Sequence, residues 1–170
     1  GHPVRLGCRV PSTPQTARML GMDGAAWARE GLVDLVVPTP FWETCEFDMP
    51  IATWKGLLEG TNCALAGGLE IRYQPCRGGW SSMMTPELAA GAATAVLAGG
   101  ADYVYLFNYF AKGHLDNLWS PESYVRTLSA MRGLATLNKL PRRHGVTFRE
   151  FDAAPLPADL QALVDKFEAG

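Results

Sequence analysis

The feature that most constrains this 170-residue chain is a recurrence of pattern rather than of sequence. Four short apolar, β-branched runs follow one another at intervals of roughly 30 to 40 residues: "VRLGCRV" (4–10), "VDLVVPTP" (33–40), "CALAGGLEI" (63–71) and "DYVYLFNYF" (102–110). Each is nearly continuous in hydrophobicity, the signature of strands buried on both faces of a parallel sheet; strands with one wet face alternate instead. Each run is followed by a helix-start signal: "STP" (12–14), "DMP" (48–50), "TPE" (85–87) and "SPE" (120–122). A proline at the first helical position loses no hydrogen bond, and Thr13, Thr85 and Ser120 are expected N-caps. Glu87 and Glu122 add negative charge to the first turn, where the helix dipole favours it.

The segments behind these signals have helical character. "TPELAAGAATAVLAGG" places Leu88, Ala92, Val96 and Leu97 on one side, and "PESYVRTLSAMRGLATL" repeats Tyr124, Leu128, Met131, Leu134 and Leu137. Gly31, Gly99 and Gly100 are C-terminal stops. One helix per strand is therefore expected, in the order β-α-β-α-β-α-β-α, with right-handed crossovers and a parallel sheet. An open doubly wound sheet usually carries a phosphate-binding glycine loop after its first strand, yet "CRVPSTP" has neither G-x-G-x-x-G nor a Walker sequence. Four units are also half of eight, and the small residues of "CALAGGLE" suit the tapering interior of a barrel. The expected fold class is thus α/β, four consecutive βα units of parallel sheet forming strands five to eight of a (β/α)8 barrel over residues 1–140. Residues 141–170, with the strand-like "GVTFREF" and the amphipathic "ADLQALVDKFEAG", read as a C-terminal extension or the start of a following module.

Composition excludes several classes. Net charge is −2 with pI near 5.9, which gives no basic surface for nucleic acid, and "PRRH" (141–144) reads as a solvated turn. Cys8, Cys45, Cys63 and Cys76 form no C-x-x-C pair, so no metal and no cofactor are expected. Cys8 and Cys63 read as small buried hydrophobes, and Cys45 and Cys76 as loop thiols, a usage more cytoplasmic than secreted. No apolar run reaches the roughly 18 residues needed to span a bilayer, and "GHPVRLG" is no signal sequence, so a soluble protein without a membrane role is expected. The initial Gly-His in place of Met suggests either a cloning remnant or a chain cut from a longer one.

If the four strands end at one rim, the polar groups gathered there are Arg9, Thr39, Glu70 and Asn108. A carboxylate costs little at the mouth of a barrel, whereas mid-strand it would need a partner. Arg72 and Tyr73 follow Glu70 and are expected to hold it ionised and oriented. Phe41, Trp42, Trp80, Phe107, Tyr109, Phe110 and Trp119 lie in or beside the expected βα loops, and flat rings with polar rims are what sugars stack on. The candidate site therefore comprises Glu70 as catalytic residue, with Arg9, Trp42, Arg72, Tyr73, Asn108 and Tyr109 contacting a carbohydrate.

Four stretches, "RVPSTP", "GLVDLVVPTPFWETCEFDMPI", "LAGGLEIRYQP" and "GGADYVYLFNYF", resemble the C-terminal part of glycoside-hydrolase-like (β/α)8 barrels of uncharacterised bacterial proteins, related in shape to the large retaining-glycosidase clan. The resemblance covers about residues 3 to 145. It implies a nucleophilic glutamate at the end of the seventh strand, a position that Glu70 matches, and an acid/base glutamate at the end of the fourth, which would precede residue 1. Glu43, Glu46, Asp48 and Asp116 are further loop carboxylates, none of them assigned as the acid.

Each residue also has a plainer role. Glu70 can form a structural ion pair with Arg72 or Arg9, Asn108 can satisfy backbone groups, and His114 can be solvated surface. Trp27 and Trp54 are read as packing against the sheet, and Asp34 and Asp102 as turn or cap residues at the opposite face. Three functions remain open: a glycosidase-type rim, a non-catalytic carbohydrate-binding rim, and a structural half-barrel. Because half a barrel exposes two edge strands, a homo-oligomer or a missing N-terminal half is expected.

Overall fold

In a computed structural model the chain is described over residues 4–40, 44–76, 79–109 and 119–147. Four parallel strands form one sheet: β1 (Gly7–Pro11), β2 (Leu35–Thr39), β3 (Ala64–Glu70) and β6 (Tyr103–Phe107), in that spatial order. The order never reverses, so right-handed crossovers carry the connecting helices to one face of the sheet. The helices are α1 (Pro14–Met19), α2 (Gly24–Arg29), α3 (Ile51–Leu57), α4 (Pro86–Ala98), α5 (Pro121–Ala130) and α6 (Leu134–Leu137). A short antiparallel pair, β4 (Arg72–Tyr73) and β5 (Ser82–Met83), stands between β3 and α4.

The helix starts form as their sequences dictate. The hydroxyls of Thr13, Thr85 and Ser120 accept from the backbone N–H three residues on, with a proline next in line at each. Such caps contribute about 1 kcal/mol each. Asp34 and Asp102 act as expected before their strands: Asp34 accepts from Leu6 N–H at 2.8 Å and Asp102 from Leu65 N–H at 2.9 Å. Asp102 also pairs with Lys55 of α3 at 2.7 Å, and that lysine holds its carboxyl below the usual range.

Two expectations are corrected. The first and last strands are each followed by two short helices, because the backbone turns left-handed at Gly21 (φ 73°) between α1 and α2 and is extended at Gly133 (φ 179°) before α6. The burial of the cysteines also differs: Cys8 and Cys63, read as buried, are only partly covered, whereas Cys45, a free thiol in a loop as expected, is fully buried and Cys76 is partly covered. Cys45 lies in a loop that the core closes over, and Cys63 sits just ahead of β3. Trp54 is buried as expected, and its Nε1–H donates to the Ser12 carbonyl at 2.8 Å. The "PRRH" stretch is exposed as expected, yet it is tied to the fold: Arg143 N–H donates to the Glu87 carbonyl, the His144 ring packs edge-on to Phe47, and the following Gly145 is buried against Phe47 and Tyr73.

The adjacent glycines of β3 serve opposite faces of the sheet, since neighbouring strand residues point opposite ways. A Cβ on Gly67 would lie 2.4 Å from Val96 of α4, and one on Gly68 would lie 2.0 Å from Thr39 Oγ1. A Cβ on Gly24 of α2 would lie 3.2 Å from both Val10 and Val36, a tight but less severe approach, and these valines share the Gly67 face. That face therefore receives α2 and α4; the other carries Arg9, Thr39, Gly68, Glu70 and Phe107.

Gly67→Ala is expected to destabilise by about 1–3 kcal/mol through overpacking against α4. Combining it with Val96→Ala should cost less than the two single changes together, measured by urea denaturation. Strict additivity would show that Gly67 does not make room for Val96.

Candidate functional site

Glu70 ends β3 with only 6% of its surface exposed, so the sequence's apolar run does finish on a covered carboxylate. Its Oε1 accepts from the Ile71 N–H at 2.9 Å. Burial pushes its pKa above the ordinary carboxylate value, and the Ile71 N–H, Arg9 and Arg72 oppose that shift in decreasing order. The balance favours the protonated form relative to a solvated glutamate.

Three elements place other groups around it. The loop after β2 runs beside β4: Cys45 N–H donates to the Arg72 carbonyl at 2.7 Å, and the Thr44 hydroxyl donates to the Gln74 carbonyl and accepts from the Gln74 N–H. This brings the buried Cys45 alongside Glu70, followed in the chain by Glu46, which is also buried. Burial, joined by the negative charges of Glu46 and Glu70, pushes the Cys45 thiol up to about 12. It is therefore a covered apolar group, not a nucleophile at neutral pH. From β1, the Arg9 guanidinium lies 3.9 Å from the centre of the Phe107 ring. Phe107 pairs with Glu70 in the sheet register, so this cation–π contact sits beside the carboxylate.

The sequence-expected residues divide into groups. Glu70 and Arg9 share the face without α2 and α4, and Arg72 is close enough for its charge to act on Glu70. Arg72 itself is exposed on β4, and its Nη1 donates to the Ser81 hydroxyl at 3.3 Å. Tyr73 does not orient Glu70: its hydroxyl donates to the Val146 carbonyl, and its ring meets Phe47 and Trp80 edge-on. Tyr109 is buried rather than open to a ligand; its hydroxyl donates to the Glu70 carbonyl at 3.1 Å and its own carbonyl accepts from the Tyr124 hydroxyl. Burial first, and then the nearby Cys45 and Glu70, raise its pKa well above 10. Trp119 is buried too, donating to the Met84 carbonyl. Asn108 is exposed with φ 62°, a left-handed conformation that asparagine tolerates better than most residues. Trp42, Glu43, Phe41, Phe110, His114 and Asp116 lie outside the described residues.

Sequence reasoning missed the approach of Cys45 to Glu70. The only local signal was "FWETCEFDMP", too polar for a strand and too short of turn residues for a free loop. Clefts of about 420 and 500 Å³ occur at the other end of the sheet, near Gly60, Thr61 and Cys63. They gather no titratable group with a strongly shifted pKa and lie away from the strand ends that carry Glu70. Among the described residues, no cluster of three His, Cys, Asp or Glu could hold a metal ion, and no helix is long and apolar enough to cross a membrane.

Compared with known families and curated proteins, the chain matches no family model and no curated sequence.

The pKa of Glu70 makes a stability prediction. A carboxyl raised in the folded state contributes stability that is complete below its unfolded pKa, near 4.5, and is lost as pH rises through the folded value. Glu70→Gln keeps an oxygen for the Ile71 N–H and carries no charge, so its stability relative to the native chain should improve from pH 4.5 to pH 7. Urea denaturation at the two pH values reads this directly, and a difference that does not change with pH would contradict it.

Proposed function

We propose that this chain is the second half of a (β/α)8 barrel whose rim acts on a carbohydrate, with Glu70 in the position of a glycosidase nucleophile. The observation that carries the reading is the placement of Glu70: a covered carboxyl at the carboxyl end of a central parallel strand, on the face that also carries Arg9 and Phe107. Active sites of such barrels gather at these strand ends.

The curvature of the sheet supports the barrel. Arg9 belongs to the first strand and Phe107 to the last, three strand spacings apart, or roughly 14 Å on a flat sheet. Through the pairings Arg9 is level with Val37, Ala66 and Tyr103, and Phe107 lies four positions further along β6. Two side chains that both rise from one face can meet across that span only if the face is concave and the strands are tilted. Tilt and stagger are what closing a sheet into a barrel requires. The unreversed strand order, with α2 and α4 on the outer face, fits the same architecture.

In a retaining reaction a Glu70 oxygen would bond to the anomeric carbon as the glycosidic C–O bond breaks, and the leaving oxygen would take a proton from a second carboxyl about 5–5.5 Å away. Water would then cleave the glycosyl ester. By the family resemblance that second carboxyl belongs to the fourth strand, ahead of residue 1. The protein that contains this chain should therefore hydrolyse an aryl glycoside, and Glu70→Gln should lower turnover by about 10³-fold or more while retaining ligand affinity. Equal turnover by the variant would remove Glu70 from the chemistry.

A non-catalytic sugar-binding rim is the second reading, and the upward shift of Glu70 favours it. Burial disfavours the ionised form, which is the form a nucleophile needs, whereas a carboxyl in either form can hydrogen-bond a sugar hydroxyl. Saccharide binding by the native protein with no turnover would decide for it.

The half-barrel also predicts assembly. Each of β1 and β6 has one sheet neighbour among the described strands, and Tyr103 and Tyr105 of β6 are 61% and 36% exposed. Such edges are covered by another chain or another half. Light scattering on this chain alone should report a dimer or larger species, and a well-behaved monomer at high concentration would count against the half-barrel.

A further inference from the structure

We infer that the saccharide taken at this rim carries an anionic substituent, a carboxylate or sulfate, and that Arg72 is the residue that anchors it. The inference rests on the carbohydrate reading of the rim and adds to it the charge of the substrate. Arg72 follows Glu70 by two positions, and its charge reaches the Glu70 carboxyl. Its backbone is fixed on both sides: Arg72 pairs with Met83 of β5, and its carbonyl accepts from the Cys45 N–H. The next residue, Tyr73, is committed to Phe47, Trp80 and the Val146 carbonyl. The support of this arginine is therefore rigid although its guanidinium is exposed.

Among the described residues that guanidinium makes no direct ion pair, although its charge acts on Glu70. Its hydrogen bond goes to the neutral Ser81 hydroxyl, at the long distance of 3.3 Å, and no carboxylate among the described residues lies within ion-pair reach of it. The contrast is with Lys55, another exposed cation, which is tied to Asp102 at 2.7 Å. A guanidinium offers a planar fork of donors that matches a carboxylate or sulfate through two parallel hydrogen bonds. A neutral sugar hydroxyl cannot use that fork in the same way. Arg9, the second cation acting on Glu70, stacks on Phe107 and strengthens the positive field on the same side of the carboxyl.

The experiment compares two ligands on the intact protein by titration calorimetry: a uronic-acid oligosaccharide and the same oligosaccharide with its carboxyl groups reduced to alcohols. The native protein should bind the acid about tenfold more tightly, the difference expected for one charge-assisted contact, and the preference should shrink as salt is raised. Arg72→Gln should bring the ratio of the two affinities close to one, and Arg72→Lys should restore part of it. Because the ratio is read within each variant, a general loss of folding cancels, and repeating the titrations in a Glu70→Gln background removes the effect of Arg72 on the Glu70 charge. A native ratio near one, or a ratio that Arg72→Gln leaves intact, overturns the inference while the carbohydrate reading stands. Failure of the native protein to bind either oligosaccharide overturns both.

Discussion

The structure depends on the absence of side chains at two consecutive positions of its central strand. Gly67 and Gly68 each face a neighbour that an alanine Cβ would meet at 2.4 Å or less, on opposite sides of the sheet. One opening lets Val96 of α4 seat against β3; the other lets Thr39 of β2 lean across it. On that second face Arg9 of the first strand also meets Phe107 of the last, across the width of the sheet. Two residues further on, the same strand delivers Glu70 to the edge of the concavity. Closeness of packing and position of the carboxyl are thus one consequence of a single Gly-Gly step, whose loss of chain entropy on folding is offset by the contacts it permits.

Much of this architecture was readable from residue order. The strand runs, the proline-marked helix starts and the capping hydroxyls of Thr13, Thr85 and Ser120 are local signals, and local interactions decide them. Parallel pairing followed from the spacing of the runs. The number of helices was less legible, because Gly21 and Gly133 interrupt apolar patterns that continue across the break. Periodicity sees hydrophobic residues, and a left-handed or extended backbone at one glycine leaves that signal unchanged.

The site was legible at its centre and not around it. Glu70 and Arg9 stand out because a polar group ending an apolar strand is conspicuous. Tyr109 and Trp119 were placed with the sugar-contacting aromatics for their position after a strand, yet both turn inward and give their polar atoms to backbone carbonyls. An amphipathic ring satisfies either environment, and only the tertiary fold chooses between them. Asn108 had two plausible hydrogen-bonding roles; the backbone supplies a third reason for it, a left-handed conformation in which a β-branched residue would be strained. The burial of the loop residue Cys45 was not legible, because it comes from the core that packs around it and from contacts such as its hydrogen bond to Arg72, far along the chain.

The titration of Glu70 connects the fold to its proposed chemistry. A carboxylate that attacks carbon must be ionised, and ionisation in a covered site needs compensating donors or cations. Here one N–H and two arginines act on Glu70, and burial still outweighs them. Burial thus disfavours the ionised form, and the proposed nucleophile would call for further donors or cations at the same rim. A complete barrel has four more strand ends facing that opening, each able to present such a group, and an anionic substrate would work against the balance unless Arg72 takes its charge. The chemistry proposed for Glu70 therefore requires both that the rim be completed and that Arg72 engage the ligand, which ties the assembly of the barrel, the identity of the sugar and the state of one proton to the same few ångströms at the end of β3.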